Sequence, residues 1–203
     1  MHVFLETDRL ILRRFTKDDV DNLVALDGDP EVMRYVTGGP PTSREQIERD
    51  HIPAYLAYYE RFQGYGFWAA IEKSTGDFLG WFHLRPYKDD APDEPELGYR
   101  LRRAAWGKGY ATEGSRALID KAFAEFGARR VVAFTYGEHL ASRRVMEKAG
   151  LRLVRTFRLT PEELFEYLGV TDPSLFPGDD IEYAITKAEW EQLAFASDSS
   201  NPG

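Results

Sequence analysis

The chain contains no cysteine among its 203 residues. Disulfides, cysteine-ligated zinc, a thiol nucleophile and a thioester-forming enzyme are therefore excluded. The four histidines lack the spacing of metal ligands, so we expect no metal site. No apolar run is long enough to cross a bilayer, and the first residues lack the basic and apolar regions of a signal peptide. These absences predict a cytoplasmic protein that does not enter membranes.

Basic residues are fewer than acidic ones, 26 Lys and Arg against 34 Asp and Glu, so the net charge of the chain is −8. Such an excess of acid argues against binding to nucleic acid or to an anionic membrane, and it favours a cationic small molecule or a basic peptide as partner. A purely solubilising role is the alternative. The chain is 43% hydrophobic, and no linker rich in Pro, Gly or Ser divides it. We expect one domain over residues 1–196, a disordered tail over 197–203, and a monomer or a homodimer.

The apolar pattern predicts strands and helices in a mixed α/β order. The predicted strands cover residues 10–15, 67–71, 78–84, 96–101, 131–134, 151–157 and 181–185. The predicted helices cover residues 18–26, 43–61, 111–126 and 140–149, with a short helix at 161–168. Residues 74–77 are typical of a hairpin turn, and Gly127 and Gly150 are typical of helix C-termini.

A glycine-containing loop leads from a predicted strand directly into a helix. Gly107 and Gly109 allow backbone N–H groups to approach a ligand closely, and a helix N-terminus favours a pyrophosphate. Arg102, Arg103 and Lys108 add positive charge to the same segment. The segment matches neither the dinucleotide fingerprint nor the P-loop, because it lacks the third glycine of the former and the Lys-Ser/Thr ending of the latter. The alternative is a structural turn before a helix.

Four segments in the same order resemble the GNAT N-acetyltransferases, in particular the RimJ/RimL-like branch related to ribosomal-protein N-terminal acetyltransferases. Thr7–Arg13 resembles the opening strand of that branch, and Trp106–Ala111 resembles the family's pyrophosphate loop, with Trp106 in place of the usual Gln or Arg. His139–Leu151 resembles the second helix that contacts the coenzyme, and Tyr183–Trp190 the closing strand. The resemblance covers residues 7–190.

The resemblance implies the GNAT fold, which is a mixed and mostly antiparallel central sheet flanked by helices. Its two central strands, here Glu96–Leu101 and Val131–Tyr136, splay apart and hold the pantetheine arm of acetyl-CoA between them. Backbone groups of Leu101 and Arg102 are expected to meet the pantetheine amides. The expected pyrophosphate loop consists of Trp106, Gly107, Lys108, Gly109, Tyr110, Ala111 and Thr112. No metal is implied.

Three residues of the helix after residue 138 have expected contacts with acetyl-CoA. Arg143 and Arg144 are candidates for the anionic nucleotide end, with an ordinary surface role as the alternative for each. His139 occupies the place of an Asn that holds the pantetheine in the family. An imidazole also donates one hydrogen bond, so His139 is either a contact of the coenzyme or a simple helix N-terminal residue.

The implied reaction is direct attack of a primary amine on the thioester in a ternary complex. It requires a proton acceptor for the amine and a proton for the departing thiolate. Glu96 occupies the place of the family's general base, acting through water; the alternative is one more acid in an acidic loop. Met146 replaces the family's tyrosine acid, so Ser142, one helical turn earlier, is the candidate acid, with a packing role as its alternative.

The acceptor remains open between a peptide N-terminus and a small cationic amine. By resemblance its pocket is built from residues 28–61 and 160–179, and the acidic run at residues 88–96 is suited to attract cations. The competing function is a regulatory or structural module that binds acetyl-CoA without turnover.

Overall fold

The computed structural model describes residues 2–86, 93–160, 162–163 and 178–199. Within these residues the strands are β1 Val3–Glu6, β2 Leu10–Arg14, β3 Gly66–Glu72, β4 Phe78–Pro86, β5 Pro95–Leu101, β6 Arg130–Tyr136, β7 Arg152–Phe157 and β8 Asp180–Thr186. These eight strands form a single sheet in the order β1-β2-β3-β4-β5-β6-β8-β7. All neighbouring strands pair antiparallel except β5 and β6, which are parallel.

Helices cover both faces of the sheet. They are α1 Val20–Asp27, α2 Pro30–Met33, α3 Arg44–Gln46, α4 Ile52–Arg61, α5 Tyr110–Glu125, α6 Leu140–Lys148 and α7 Lys187–Ser199. A π-helical turn, Ile47–His51, joins α3 to α4. Two 3₁₀ turns, Lys17–Asp19 and Arg103–Ala105, precede α1 and the loop at residues 106–109, which we call the glycine loop. Within the described ranges, no helix has the length and apolarity to cross a bilayer.

Successive side chains of β4 point into two different hydrophobic cores, one on each face of the sheet. Phe82 and Leu84 belong to the core that contains the buried face of α5, whereas Trp81 belongs to the core formed with α1 and α4. Because successive side chains of a strand point to opposite faces, His83 lies on the same face as Trp81. We call this side of the sheet the α1/α4 face and the other side the α5/α6 face.

The sheet opens between β5 and β6. These strands pair at one position, Glu96 with Val132, whereas β6 pairs with β8 from Arg130 to Tyr136. Beyond Glu96 the two central strands therefore diverge, which confirms the predicted fold class with its splayed strands.

The structure differs from the predictions made from the sequence at three places. β1 and α2 were not predicted, and Trp190 lies in α7 rather than in a strand, so that part of the expected closing strand was wrong. The Thr186 hydroxyl accepts from the Glu189 amide at 3.3 Å, and the Glu189 carboxylate accepts from the Thr186 amide at 2.9 Å. This capping box starts the helix. The helix continues past Ser197 to Ser199; residues 200–203, and all but residues 162–163 of the predicted helix at 161–168, lie outside the described part.

Candidate active site

The glycine loop leads into α5, whose N-terminus has no side-chain cap. Gly107 and Gly109 have φ of 72° and 85°, a left-handed conformation that side-chain-bearing residues rarely adopt. Gly109 is the N-cap of α5 and supplies no side-chain cap. The first intrahelical bond runs from the Glu113 amide to the Gly109 carbonyl at 3.0 Å. The N–H groups of Tyr110, Ala111 and Thr112 precede this bond and are left for an anionic ligand.

Arg9, from the turn between β1 and β2, holds this loop in place. Its guanidinium contacts the carboxylate of Glu113 at 2.6 Å and donates to the Lys108 carbonyl at 2.9 Å. It also lies 4.4 Å from the centroid of the Tyr110 ring, a cation–π distance. The hydroxyl of Thr7 donates to the same carboxylate at 2.5 Å. This role of Arg9 was not predicted from the sequence, although Arg9 lies within the opening segment Thr7–Arg13 that resembles the family.

Some backbone groups at the end of β5, where pantetheine is expected to bind, already form hydrogen bonds within the protein. The Trp106 indole N–H donates to the Leu101 carbonyl at 2.7 Å, and the Arg102 amide donates to the Leu79 carbonyl at 2.8 Å. Trp106 therefore braces the start of the loop, which is a structural use of the residue that replaces the family's Gln or Arg. The Leu101 carbonyl retains a second lone pair for a ligand.

The three cationic candidates for binding the coenzyme phosphates differ in whether the protein already engages their side chains. Arg143 is engaged with the Tyr183 hydroxyl at 3.2 Å and with the Gly137 carbonyl at 3.2 Å. Arg144 and Lys108 are exposed, and neither side chain forms a hydrogen bond or ion pair within the described residues. Arg144 and Lys108 are thus better placed than Arg143 to meet phosphate groups.

Glu96 lies where β5 and β6 part, on the α1/α4 face. Its carboxylate contacts the Arg85 guanidinium at 2.8 Å and lies 3.6 Å from His83 Nε2, which is longer than a hydrogen bond. Burial alone would raise the pKa of Glu96, but His83 and Arg85 outweigh it and hold that pKa below its ordinary value. Glu96 is therefore ionised at neutral pH and is a weak proton acceptor when it acts alone.

Ser142 lies on the other face of the sheet and is bonded to a partner that the sequence analysis did not identify. Tyr99 Oη lies 3.0 Å from both Ser142 Oγ and the Ser142 carbonyl. Burial raises the pKa of Tyr99, so its phenol stays protonated and remains a donor. Met146, at the position of the family's tyrosine, is buried in the core. The polar pair Tyr99–Ser142 thus lies one turn away from the place where the family puts its acid.

His139 is the N-cap of α6 and stacks on Tyr35 with ring centroids 4.3 Å apart. Its Nδ1 lies 3.5 Å from Thr135 Oγ1. Burial lowers the pKa of His139 to about 4, so the ring is neutral at physiological pH and offers one donor nitrogen.

An open groove of about 630 Å³ lies beside Gly109 and Thr112, on the outer side of α5. Its rim carries four carboxylates, those of Glu6, Asp8, Glu113 and Asp120, against the three cations Arg9, Arg116 and Lys148. This balance is unsuited to a pyrophosphate, and we assign the coenzyme to the uncapped N-terminus of α5 instead.

The structure describes only part of the acidic run at residues 88–96. Asp93 and Glu94 are both ion-paired with Arg129, at 3.1 and 2.6 Å, which reduces their attraction for a soluble cation. Asp89 and Asp90, like most of the predicted acceptor segment 160–179, lie outside the described residues. In the part of the chain that is described, no group of three His, Asp or Glu side chains is arranged to hold a metal ion.

A profile of the acetyltransferase (GNAT) domain family matches residues 9–152. The chain belongs to the GNAT acetyltransferase family. The matched region begins at the loop-holding Arg9 and includes Glu96, the glycine loop and α6.

Known acetyltransferases resemble the chain over most of its length. The FsC-acetyl coenzyme A-N(2)-transacetylase of Aspergillus fumigatus is 32% identical over 93% of this chain and 78% of its own. A GNAT-family acetyltransferase structure from Bacillus anthracis superposes with a TM-score of 0.70 and 23% identity, covering 93% of this chain and 99% of its own. The ribosomal-protein-S5-alanine acetyltransferase of Vibrio fischeri gives a TM-score of 0.70 at 14% identity, covering 92% and 97%. At such identities the two structures show a shared fold.

Proposed function

We propose that this GNAT protein is a cytoplasmic N-acetyltransferase that transfers the acetyl group of acetyl-CoA directly to a primary amine in a ternary complex. The observation that carries this proposal is the position of Glu96, an ionised carboxylate at the single paired position from which β5 and β6 diverge. An anion there attracts an ammonium group to the opening in which a thioester would lie.

The two faces of the sheet divide the chemistry. Glu96 belongs to the α1/α4 face, whereas Tyr99 and Ser142 meet on the α5/α6 face. The amine would enter and lose its proton on the first face, and the thiolate would leave beside the hydroxyl pair on the second. The acceptor nitrogen named for the Aspergillus relative supports an amine acceptor. Both a small cationic amine and a peptide N-terminus, the latter in keeping with a RimJ/RimL-like branch, fit this arrangement.

The pyrophosphate of acetyl-CoA would bind the free N–H groups at the start of α5. Lys108 and Arg144 supply exposed positive charge. The positive φ of Gly107 and Gly109 favours glycine, and the absence of a Cβ atom there leaves room for the phosphates. When bound, acetyl-CoA supplies the thioester carbonyl that is attacked, while the protein holds the amine, binds its proton and excludes water.

Release of free thiol from acetyl-CoA, measured with a panel of primary amines and N-terminal peptides, tests this function. Glu96→Gln should lower kcat by roughly 10²–10⁴, the range for loss of a group that handles a proton, with little change in KM for acetyl-CoA. Glu125→Gln, which changes an exposed carboxylate at the far end of α5, is the matched control. Binding of acetyl-CoA by the wild type without thiol release for any acceptor would instead indicate a module without turnover.

A further inference from the structure

We propose that Arg85 forms an anion subsite beside Glu96, and that the preferred acceptor is a zwitterion whose primary amine lies a few bonds from a carboxylate. This inference rests on the proposed function and names a substrate class for it. It narrows the small amines that fit the site to those without a second positive charge near the reacting nitrogen.

Arg85 and Glu96 form a pair of opposite charges at the point where β5 and β6 begin to diverge. The two residues lie directly opposite each other in the β4–β5 pair, and Arg85 Nη2 is 2.8 Å from the Glu96 carboxylate. The Arg85 side chain is 36% exposed and that of Glu96 is 16% exposed. A soluble acceptor that enters on the α1/α4 face therefore reaches both charges.

The Arg85 guanidinium has donors that Glu96 does not use. An arginine carries five N–H donors in a planar fork, and Nη2 is the one that serves Glu96. Burial lowers the pKa of Arg85, but Glu96 and Tyr58 outweigh burial and raise that pKa, so the guanidinium is always charged. It lies 6.0 Å from the centroid of the Phe67 ring of β3. A charged planar fork of this kind is the group that binds carboxylates best.

Other charged side chains along β5 are already compensated within the protein. Arg100 pairs with the buried Asp27 at 2.7 Å. Where β5 begins, Asp93 and Glu94 both pair with Arg129, at 3.1 and 2.6 Å. The Arg85–Glu96 pair is therefore the one in this group that an acceptor would meet where the central strands part.

Binding of an ammonium group to Glu96 would unbalance this pair. Without a ligand the pair is neutral, and burial lowers the pKa of the adjacent His83, so that ring is uncharged at neutral pH. An ammonium group on Glu96 then adds one positive charge beside the guanidinium. A carboxylate on the acceptor restores the balance and accepts charge-assisted hydrogen bonds from Arg85. A second ammonium group in the same place would be repelled.

The short distance between the two protein charges limits the length of the acceptor. Because Arg85 Nη2 and the Glu96 carboxylate are 2.8 Å apart, the ammonium and carboxylate groups of the acceptor must also be close neighbours. β-Alanine meets this requirement. Propylamine lacks the carboxylate, and trimethylenediamine has a second ammonium group in its place, so the three amines differ mainly in charge.

The affinities of these three amines test the subsite. They are measured by calorimetry in the presence of coenzyme A, which has no acetyl group to transfer, and thiol release from acetyl-CoA then gives kcat/KM for each. The wild type should bind β-alanine roughly 10–100-fold more tightly than propylamine, and trimethylenediamine most weakly, because the carboxylate gains hydrogen bonds to a charged group. Wild-type protein that binds β-alanine no better than propylamine overturns the inference.

Substitutions of Arg85 separate an anion subsite from a structural role. Arg85→Gln should weaken β-alanine binding roughly 10–100-fold and change propylamine binding by less than about threefold, whereas Arg85→Lys should keep part of the preference. Arg152→Gln, which removes an exposed arginine paired with Glu189, is the matched control and should leave the three affinities unchanged. If a folded Arg85→Gln variant binds all three amines equally more weakly, Arg85 is structural and the inference fails. The order of affinities in the wild type decides the question even if Arg85→Gln does not fold.

The same measurements distinguish this inference from the proposed function. Thiol release with other primary amines, together with no preference for β-alanine, overturns the anion subsite alone. Absence of thiol release with every acceptor overturns the proposed function, and an Arg85-dependent preference for β-alanine in binding would still support the subsite.

Discussion

Arg9 contacts Glu113 across 104 positions of the sequence, with 2.6 Å between guanidinium and carboxylate. The same guanidinium also binds the Lys108 carbonyl, so the turn between β1 and β2 holds both the glycine loop and the first turn of α5. The shape of the loop is therefore held by a residue that lies far from it in the chain.

Arg9→Ala should raise the KM for acetyl-CoA about tenfold and leave kcat nearly unchanged, because the loop would lose its fixed shape while the reacting groups stay in place. Steady-state kinetics with varied acetyl-CoA measures this. Arg49→Ala, which removes an exposed arginine paired with its neighbour Asp50, is the control. An unchanged KM would show that the loop keeps its shape without Arg9.

Alanine at Gly107 or Gly109 should weaken acetyl-CoA binding and lower the free energy of unfolding by about 1–2 kcal/mol, the cost of a left-handed conformation with a Cβ. Gly127→Ala carries the same backbone cost, since its φ is 66° with no atom within 4 Å of the added Cβ. Calorimetry and urea unfolding separate the two effects. If Gly127→Ala weakens binding as much as Gly109→Ala, the loop is not the phosphate site.

Ser142→Ala and Tyr99→Phe should each lower kcat by less than about 100-fold, because a thiolate needs little help to leave. The two hydroxyls are hydrogen-bonded, so the double variant should lose no more than the worse single variant. Presteady-state rates of thiol release measure this coupling. Additive losses would mean that the hydroxyls act separately, and no loss would remove both from the reaction.

His139→Asn should flatten the dependence of stability on pH. The pKa of His139 in the folded protein, about 4, is below its unfolded value, so its contribution is complete above pH 6.5 and is lost as pH falls towards 4. Over this range the wild type should lose up to about 1.4 kcal/mol per pH unit more than the variant. Urea unfolding at pH 7.5, 6 and 5 provides the comparison. Parallel curves would mean that folding does not lower the pKa of His139.

Local signals in the sequence predicted the fold and part of the site. The glycine loop, the helix after it and the strand beginning near Glu96 each lie within one short segment, so their pattern is readable without tertiary knowledge. The capping box Thr186–Glu189 was equally local and was overlooked, which explains the error at Trp190.

Contacts between distant residues were not predictable in this way. Tyr99 meets Ser142 across 43 positions, and nothing in either neighbourhood identifies the other. His83 read as an ordinary strand residue, because its approach to Glu96 depends on the register of β4 with β5. Propensity and periodicity describe single elements, whereas these pairs arise only when the elements pack.

The divergence of β5 and β6 leaves two strand edges that face each other inside one sheet. Beyond Glu96 and Val132, each strand offers amide and carbonyl groups on that side that pair with no other strand among the described residues. Unpaired edges of this kind invite pairing with any extended polar chain, and they are protected when such a chain lies between them. Without acetyl-CoA, we expect the amides on these inner edges to exchange with deuterium faster than those of β3, which is paired on both sides. Acetyl-CoA would then fill the gap between β5 and β6 as an additional strand would. The sheet would be most rigid in the acetyl-CoA-bound state.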